Sequence, residues 1–376
     1  MSVASDQDSI DQLRAELRAW LEEKPTPSGA ELAARGLVVP HWPRPWGLDA
    51  DAAAQLVVDE ELRRARVARP LNPIGIGWAG PTLLEGGTPE QQARWLPGIL
   101  SGSAFWCQLF SEPDAGSDLA SLRTRAVRDG DEWIVNGQKI WTSYAHVASY
   151  GILLARTDPA AEPHQGISYF VCPMDLEGIT IRPLVDMTGD HAFNEVFFDD
   201  VRIPADHLVG EPNGGWRLAK VTLGNERVSL SGEGALWGRG PTAADLVALA
   251  RGHELSSLQR DALVRVWSEG RILALLRGRL VAAALRGRSP GPEASVRKAL
   301  ADDHGQHVMG LAKQLAGATG ALVGAAPFGD RDVAGWDHGF LYAQALTIGG
   351  GTSAVQRNII GERVLGLPKD PAPTPR

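Results

Sequence analysis

Cysteine is nearly absent from this 376-residue chain, which holds only Cys107 and Cys172. Two thiols exclude a disulfide scaffold and any four-cysteine zinc module. A basic excess is missing too. Lys and Arg number 37 against 45 Asp and Glu, a net charge of −8. That balance argues against a general nucleic-acid binder and leaves room only for a local cationic pocket. No stretch reaches the roughly 18 uninterrupted apolar residues that a membrane span needs. The first residues, Met1 to Gln12, are polar and acidic, without the basic and apolar stretches of a secretory leader. Internal repeats and low-complexity tracts are lacking as well. What is present is ordinary for a globular protein: 44% hydrophobic residues, 43 glycines and 25 prolines. The length suffices for two or three domains. The expectation is a soluble, cytoplasmic, multi-domain protein without metal, nucleic-acid or membrane partners.

The texture of the chain changes twice. From Ser9 to about Leu100 the period is helical, with Ile10, Leu13, Leu17 and Leu21 at three- and four-residue spacing. Ala54 to Arg66 repeats the pattern, and Thr88 ahead of Pro89, Glu90 and Gln91 reads as a helix start. Near Phe105 short β-rich runs take over: Phe105–Phe110, Thr124–Val127, Trp133–Val135 with Lys139–Trp141, Ser149–Ala155, Ile167–Cys172, Ile179–Ile181 and Glu195–Phe198. Arg128-Asp129-Gly130-Asp131 and Asn136-Gly137 read as turn or hairpin signals between them. About seven such strands suggest a small barrel or sandwich. Beyond Gly215 the helical period returns and holds to about Leu365, and the proline-rich tail from Pro368 is expected to be disordered.

Four segments could carry chemistry. Phe110-Ser111-Glu112-Pro113-Asp114-Ala115-Gly116-Ser117-Asp118 leaves a strand for a turn of small and polar residues, able to bring N–H groups and hydroxyls to a ligand or to serve as an ordinary loop. Asn136-Gly137-Gln138-Lys139-Ile140-Trp141-Thr142-Ser143 puts an indole and two hydroxyls at a strand end; taken alone, Trp141 is more often a core residue. Trp216, Ala219, Leu223, Glu226 and Leu230 share one helix face, which sets Glu226 in an apolar stripe. Its helix neighbours Thr222, Leu223, Ser229 and Leu230 include no cation. Burial disfavours a charged carboxylate, which suits a base working near neutral pH; the alternative is a Glu at the stripe's edge. Gly349-Gly350-Gly351-Thr352-Ser353 precedes a helical pattern and could bring backbone close to a phosphate, or form a plain turn.

Two other signals are set aside. Gly75-Ile76-Gly77-Trp78-Ala79-Gly80 fits G-x-G-x-x-G, but prolines bracket it and no strand precedes it, so a dinucleotide fingerprint fails. Asp302, Asp303, His304 and His307 read as a solvated cluster on a polar helix face rather than as metal ligands.

Taken together, these segments resemble an acyl-CoA dehydrogenase over nearly the whole chain. Gly87-Thr88-Pro89-Glu90-Gln91-Gln92 through Gly102 resembles the family's lead-in to its β-domain. Ser111–Asp118 and Asn136–Ser143 resemble its two flavin-contact motifs. Gly291-Pro292-Glu293-Ala294-Ser295-Val296-Arg297-Lys298 and Gly351-Thr352-Ser353-Ala354-Val355-Gln356-Arg357 resemble its C-terminal signatures. The resemblance implies an α+β fold: an N-terminal all-helical domain (1–104), a middle β-barrel domain (105–212) and a C-terminal four-helix-bundle domain (213–367), with a disordered tail (368–376). FAD is the implied cofactor. Gln108, Phe110 and Ser111 would lie at the flavin, Ser111 near its pyrimidine edge. Ser143 would donate toward N5 with Trp141 beside the ring, and Thr352 would lie near the dinucleotide. Gln314, Gly317 and Gly320 match the segment that meets a neighbouring subunit's FAD. Ser117 would follow the CoA moiety, and Arg227 would help bind that anion.

One departure matters. Many members carry the catalytic glutamate directly before Gly-Thr-Ser, where this chain has Gly350. A minority, isovaleryl-CoA dehydrogenase among them, place it before an Arg on the helix opening the C-terminal domain; that position is Glu226, followed by Arg227. Gly350 with a nearby Glu-Arg also resembles subunits of heteromeric dehydrogenases acting on steroid side-chain thioesters. The Arg-Phe pair that usually holds FAD pyrophosphate across the dimer has no match between Arg251 and Arg277. The implied reaction is α,β-desaturation of an acyl-CoA or a carrier-protein thioester, with Glu226 as base. An electron-transfer flavoprotein is the implied acceptor, and the implied assembly is a homodimer, homotetramer or heterotetramer. A partner subunit of a heteromer and a flavin oxidase or monooxygenase on the same fold are the alternatives.

Overall fold

The computed structural model describes residues 7–229, 234–284, 291–318 and 335–369, and divides into two compact units, the second made of Met187–Gly189 and the residues from Glu226 onward. The first begins with helices α1 (Gln7–Glu23), α2 (Gly29–Ala34), α3 (Ala52–Arg64), α4 (Gly80–Gly86) and α5 (Pro89–Ser101). Local chemistry sets their ends. Thr88 accepts from the Gln91 N–H while the Gln91 side chain accepts from the Thr88 N–H, a reciprocal cap at the expected start of α5. Buried Glu61 on α3 accepts from Arg14 at 2.8 Å and Arg18 at 2.9 Å, tying α1 to α3. The G-x-G-x-x-G segment is a π-type turn running into α4, and a Cβ on Gly80 would lie 2.1 Å from the Trp42 ring. Gly75 and Gly80 serve packing, as the missing strand implied.

Eight strands follow: β1 (Trp106–Leu109), β2 (Arg125–Asp129), β3 (Glu132–Ser143), β4 (Tyr150–Arg156), β5 (Ile167–Pro173), β6 (Ile179–Leu184), β7 (Phe193–Pro204) and β8 (Leu208–Val209). They form one mixed sheet in the order β6-β7-β3-β2-β4-β5-β8, with β1 parallel to β4. Alternation explains its two sides. Cys107, Leu109, Trp133, Val135, Leu153, Ala155, Phe170, Cys172, Val196 and Phe198 gather into one core, so the sheet wraps around the residues of a single face. Trp106, Ile152, Leu154, Tyr169 and Val171 point the other way and join the core of the N-terminal helices. Strands β4 and β5 are buried on both faces, hence their continuous apolar runs.

The hairpin at Gly130 forms as expected, but Asn136-Gly137 is not a turn: it lies inside the twelve-residue β3. The glycine is needed for close approach, since a Cβ there would come within 2.7 Å of the Thr124 Cα. The asparagine clamps a bulge on β7, donating to Asp200 Oδ1 at 2.9 Å and accepting from the Asp200 N–H at 3.0 Å.

Helix α6 (Gly215–Ser229) starts in the first unit and enters the second. Among its described residues the second unit adds α7 (Ala243–Ala250), α8 (Ser257–Ala284), α9 (Ala294–Leu315), α10 (Trp336–Tyr342) and α11 (Ser353–Ile359). Leu246, Leu249, Val266, Val308, Met309, Leu311, Trp336 and Leu346 form its core. The architecture is therefore helical, β, then helical. Residues 370–376 of the expected tail lie outside the described residues.

Gly137→Ala should destabilise the protein by about 1–3 kcal/mol, the usual cost of overpacking. Urea unfolding of the two proteins measures it; an unchanged midpoint would show that β2 and β3 have room for a side chain there.

Candidate functional site

The site begins with a charge in the core. Strand alternation turns Lys139 of β3 inward, and its side chain has no exposed surface. A buried ammonium needs partners. Lys139 Nζ donates to Glu112 Oε1 at 2.8 Å and to the Phe110 carbonyl at 2.9 Å. Glu112 also accepts from the N–H groups of Arg123 at 2.6 Å and Thr124 at 2.8 Å. Burial pushes the Glu112 carboxyl up, but Lys139 and these donors outweigh it and hold it below the usual carboxylate range. Burial lowers Lys139, and Glu112 opposes that fall. The pair is ionised at neutral pH.

This cluster places the first predicted flavin segment. Glu112 and Ala115 exchange N–H and carbonyl bonds at 3.0 and 3.1 Å, closing a tight turn. The Ile140 N–H donates to the Ser111 carbonyl at 2.9 Å. Phe110 and Ser111 are thereby laced to Lys139 and Ile140, and the two predicted motifs lie side by side. Ser111 is half-buried, while Ser117 is exposed beyond the turn.

A bulge in β3 then re-aims the indole. By alternation Trp141 would follow Trp133, Val135 and Lys139 into the core. Between Lys139 and Thr142, β3 instead carries one residue more than β7, and Trp141 adopts a φ of 58°. Thr142 takes the inward place, fully buried, and the Trp141 ring is left 59% exposed against the edge of Phe193. The core reading of Trp141 is thus overturned. Positive φ on a tryptophan is a strained choice. Ser143 ends the strand, half-buried.

These residues fit a flavin. The Trp141 ring offers a flat apolar surface, and Ser111 and Ser143 supply hydroxyls. Gln108 on β1 holds a buried Oε1 with no hydrogen-bond partner among the described residues, an acceptor suited to a ligand N–H.

Glu226, on α6, is 8% exposed, so it lies in the buried stripe and not at its edge. The Arg227 side chain, Leu230 and Gly320 lie outside the described residues. In the second unit Thr352 caps α11, accepting from the Val355 N–H. Lys298, buried near the start of α9, donates to the carbonyls of Leu346, Gly349 and Gly351 at 3.2, 2.7 and 2.8 Å and so fixes the glycine loop. Gln314 and Gly317 are exposed at the far end of α9. Sixteen residues of helix separate Lys298 from Gln314, about 24 Å, so one chain does not bring Thr352 and Gln314 together.

The cluster on α9 is only in part the solvated face expected: Asp303 and His307 are partly to well exposed, while Asp302 and His304 are buried. Asp302 is 1% exposed and pairs with Lys298, and burial raises its pKa to about 7. His304, also buried, shares Glu269 with His307. Lys139, Glu112 and Lys298 all lie in the quoted sequence segments, but sequence reasoning alone assigns none of them a role. A lysine at an inward-facing strand position was the available signal.

Comparison with known proteins defines the class. The acyl-CoA dehydrogenase N-terminal domain matches residues 7–103, the middle domain 107–201 and the C-terminal domain 213–365. The chain belongs to the acyl-CoA dehydrogenase family, whose members bind FAD. Among its relatives, acyl-CoA dehydrogenase IpdE1 of Mycobacterium tuberculosis is 41% identical over 94% of this chain and 89% of its own. Acyl-CoA dehydrogenase FadE34 of the same organism is 44% identical over 94% of this chain, which spans only 48% of FadE34. The solved Tcur3481-Tcur3483 steroid ACAD superposes with a TM-score of 0.76 at 31% identity, covering 98% of this chain and 100% of that one.

Lys139→Met should cost about 3–5 kcal/mol, because it strands a buried carboxylate, and should lower the flavin retained per chain. Adding Glu112→Gln should recover part of that loss. Thermal melts and absorbance ratios read both; a single variant as stable and as yellow as the parent would contradict the role given to Lys139.

Proposed function

We propose that this protein is an FAD-dependent acyl-CoA dehydrogenase that introduces an α,β double bond into an acyl thioester, with Glu226 as the base. The observation that carries the reading is a buried glutamate on α6 in a chain whose loop before Thr352 offers only glycines. Glu226 removes the acyl α-proton while the β-hydrogen leaves as hydride. FAD, when bound, supplies the two-electron acceptor at its N5. Trp141 and Ser143 would pack beside and hydrogen-bond the ring, and Gln108, Phe110 and Ser111 would hold its edge. Ser117 and Arg227 bind the CoA portion. Charge developing on the thioester carbonyl needs donors held ready for it. An electron-transfer flavoprotein would be the acceptor for the two electrons.

We propose a substrate class as well. A steroid ACAD among the structural neighbours, together with glycine at position 350, supports a bulky CoA thioester. We also propose an oligomer, homomeric or heteromeric. Gln314 and Gly317 are exposed about 24 Å along α9 from the Thr352 loop, as expected of residues serving a neighbour's cofactor. Along α8, Val264, Trp267, Ile272 and Leu275 leave large apolar side chains exposed. The two-part name Tcur3481-Tcur3483 favours the heteromeric form.

Glu226→Gln keeps the side-chain shape and cannot accept the proton. Single-turnover flavin reduction with the best of octanoyl-CoA, isovaleryl-CoA and a steroid side-chain CoA thioester should slow about a hundred- to ten-thousand-fold, with FAD content unchanged. Near-normal reduction would refute the assignment. Light scattering of the yellow, active protein should give an oligomer; an active flavin-loaded monomer would exclude the shared site.

A further inference from the structure

We infer that three buried hydroxyls, on Tyr169, Thr222 and Thr82, position the helix that carries Glu226 and so serve the reaction without touching substrate. The inference rests on Glu226 being the base. All three side chains lack exposed surface. Tyr169 Oη lies 3.1 Å from Thr222 Oγ1, which lies 2.8 Å from Thr82 Oγ1. Thr82 donates onward to the Trp78 carbonyl at 2.8 Å. Thr222 Oγ1 also donates to the Leu218 carbonyl of its own helix at 3.1 Å, so its proton is shared between that carbonyl and Thr82 while Tyr169 donates to Thr222.

The chain of hydroxyls runs from β5 through α6 to α4, so a single residue of α6 is bonded on two sides. Leu218 and Ala219, buried one turn earlier, hold the helix against the core. Apolar contact of that kind is non-directional and permits small rolls and slides, whereas hydrogen bonds fix distance and angle. A second polar link between α6 and α4, Arg217 to Glu85, lies on the exposed surface, where both side chains can follow a shift. Thr222 therefore sets the roll of α6. Glu226 follows four residues later, one turn along the same face. Misplacing a reacting group by about 1 Å can cost a hundredfold in rate, so the roll of this helix has kinetic weight. Threonine and tyrosine also suit the task chemically, since they fix geometry without placing a charge near the carboxylate.

Thr222→Val keeps the shape and breaks the chain; Thr222→Ser keeps the hydroxyl. Flavin reduction in a single turnover is measured on FAD-loaded protein with the best of the three thioesters above, in the Glu226 and Glu226→Gln backgrounds. With Glu226 present, Thr222→Val should slow reduction tenfold or more at unchanged FAD content and thioester affinity. Thr222→Ser should recover most of the rate. In the Glu226→Gln background Thr222→Val should add no further loss, because nothing remains to be aimed. Tyr169→Phe, which removes only the strand-side hydroxyl, should repeat the pattern more weakly and serves if the valine variant fails to fold. A rate within twofold of the parent for both variants, beside a disabled Glu226→Gln, would overturn the positioning role alone. Equal losses in both backgrounds would also overturn it, as a general structural effect. A fast Glu226→Gln protein would instead remove the base assignment, and the positioning role with it.

Discussion

Much of the first unit hangs on the decision to bury the Lys139 ammonium. An isolated charge in a core is prohibitive, so it can exist only where Glu112 and the Phe110 carbonyl meet it. That requirement draws the chain leaving β1 onto β3 and closes the Glu112–Ala115 turn. Such a pair adds little net stability compared with apolar residues of the same size. Its effect is specificity, because any register that separates the turn from β3 leaves a charge unpaired. With the turn fixed, the Ile140 N–H reaches Ser111, and the next residue must leave the alternation. The exposed Trp141 ring is the end of that sequence of constraints.

Helical and β textures were legible in the sequence because period and punctuation are local. Thr88 and Thr352 each cap a helix where the spacing said they would. The Asn136-Gly137 pair failed for the opposite reason. Its letters report a residue without a Cβ and a short amide, which a hairpin turn needs. A close approach to Thr124 and a clamp on the β7 bulge need the same two things, and only the tertiary partners distinguish them. Trp141 failed similarly, since an extra residue in a bulge reverses every later inward and outward position. The stripe on α6 was read correctly as burying Glu226, yet beside Ala219 the most buried side chains described on the helix are Leu218 and Thr222, each one position from a stripe residue. A threonine does not announce itself as core, so the hydroxyl chain stayed hidden.

The two units use one device twice. Lys298, like Lys139, is a buried lysine that takes backbone carbonyls of a glycine- or turn-rich loop. Gln356 adds its amide to the carbonyls of Gly350 and Gly351 at 3.0 and 3.2 Å. With several carbonyls turned toward these donors, Gly350 and Gly351 are held at φ values of 66° and 86°.

That loop geometry bears on where a base can reside. A glutamate at position 350 would have to hold the left-handed conformation, which costs an L-residue about 1–2 kcal/mol. It could escape only by releasing the carbonyls that Lys298 and Gln356 hold. On α6 the backbone is already helical and a glutamate loses little there. The carboxyl is then oriented by a rigid element rather than by a loop, and its surroundings can be tuned by what packs beside the helix. Glycine at 350 also leaves the loop without a side chain, and under the proposed function that volume would serve a wide acyl group. On that proposal, a base on the helix and an emptied loop are one change in two places, and a substrate too bulky for a side chain at 350 would be a single reason for both.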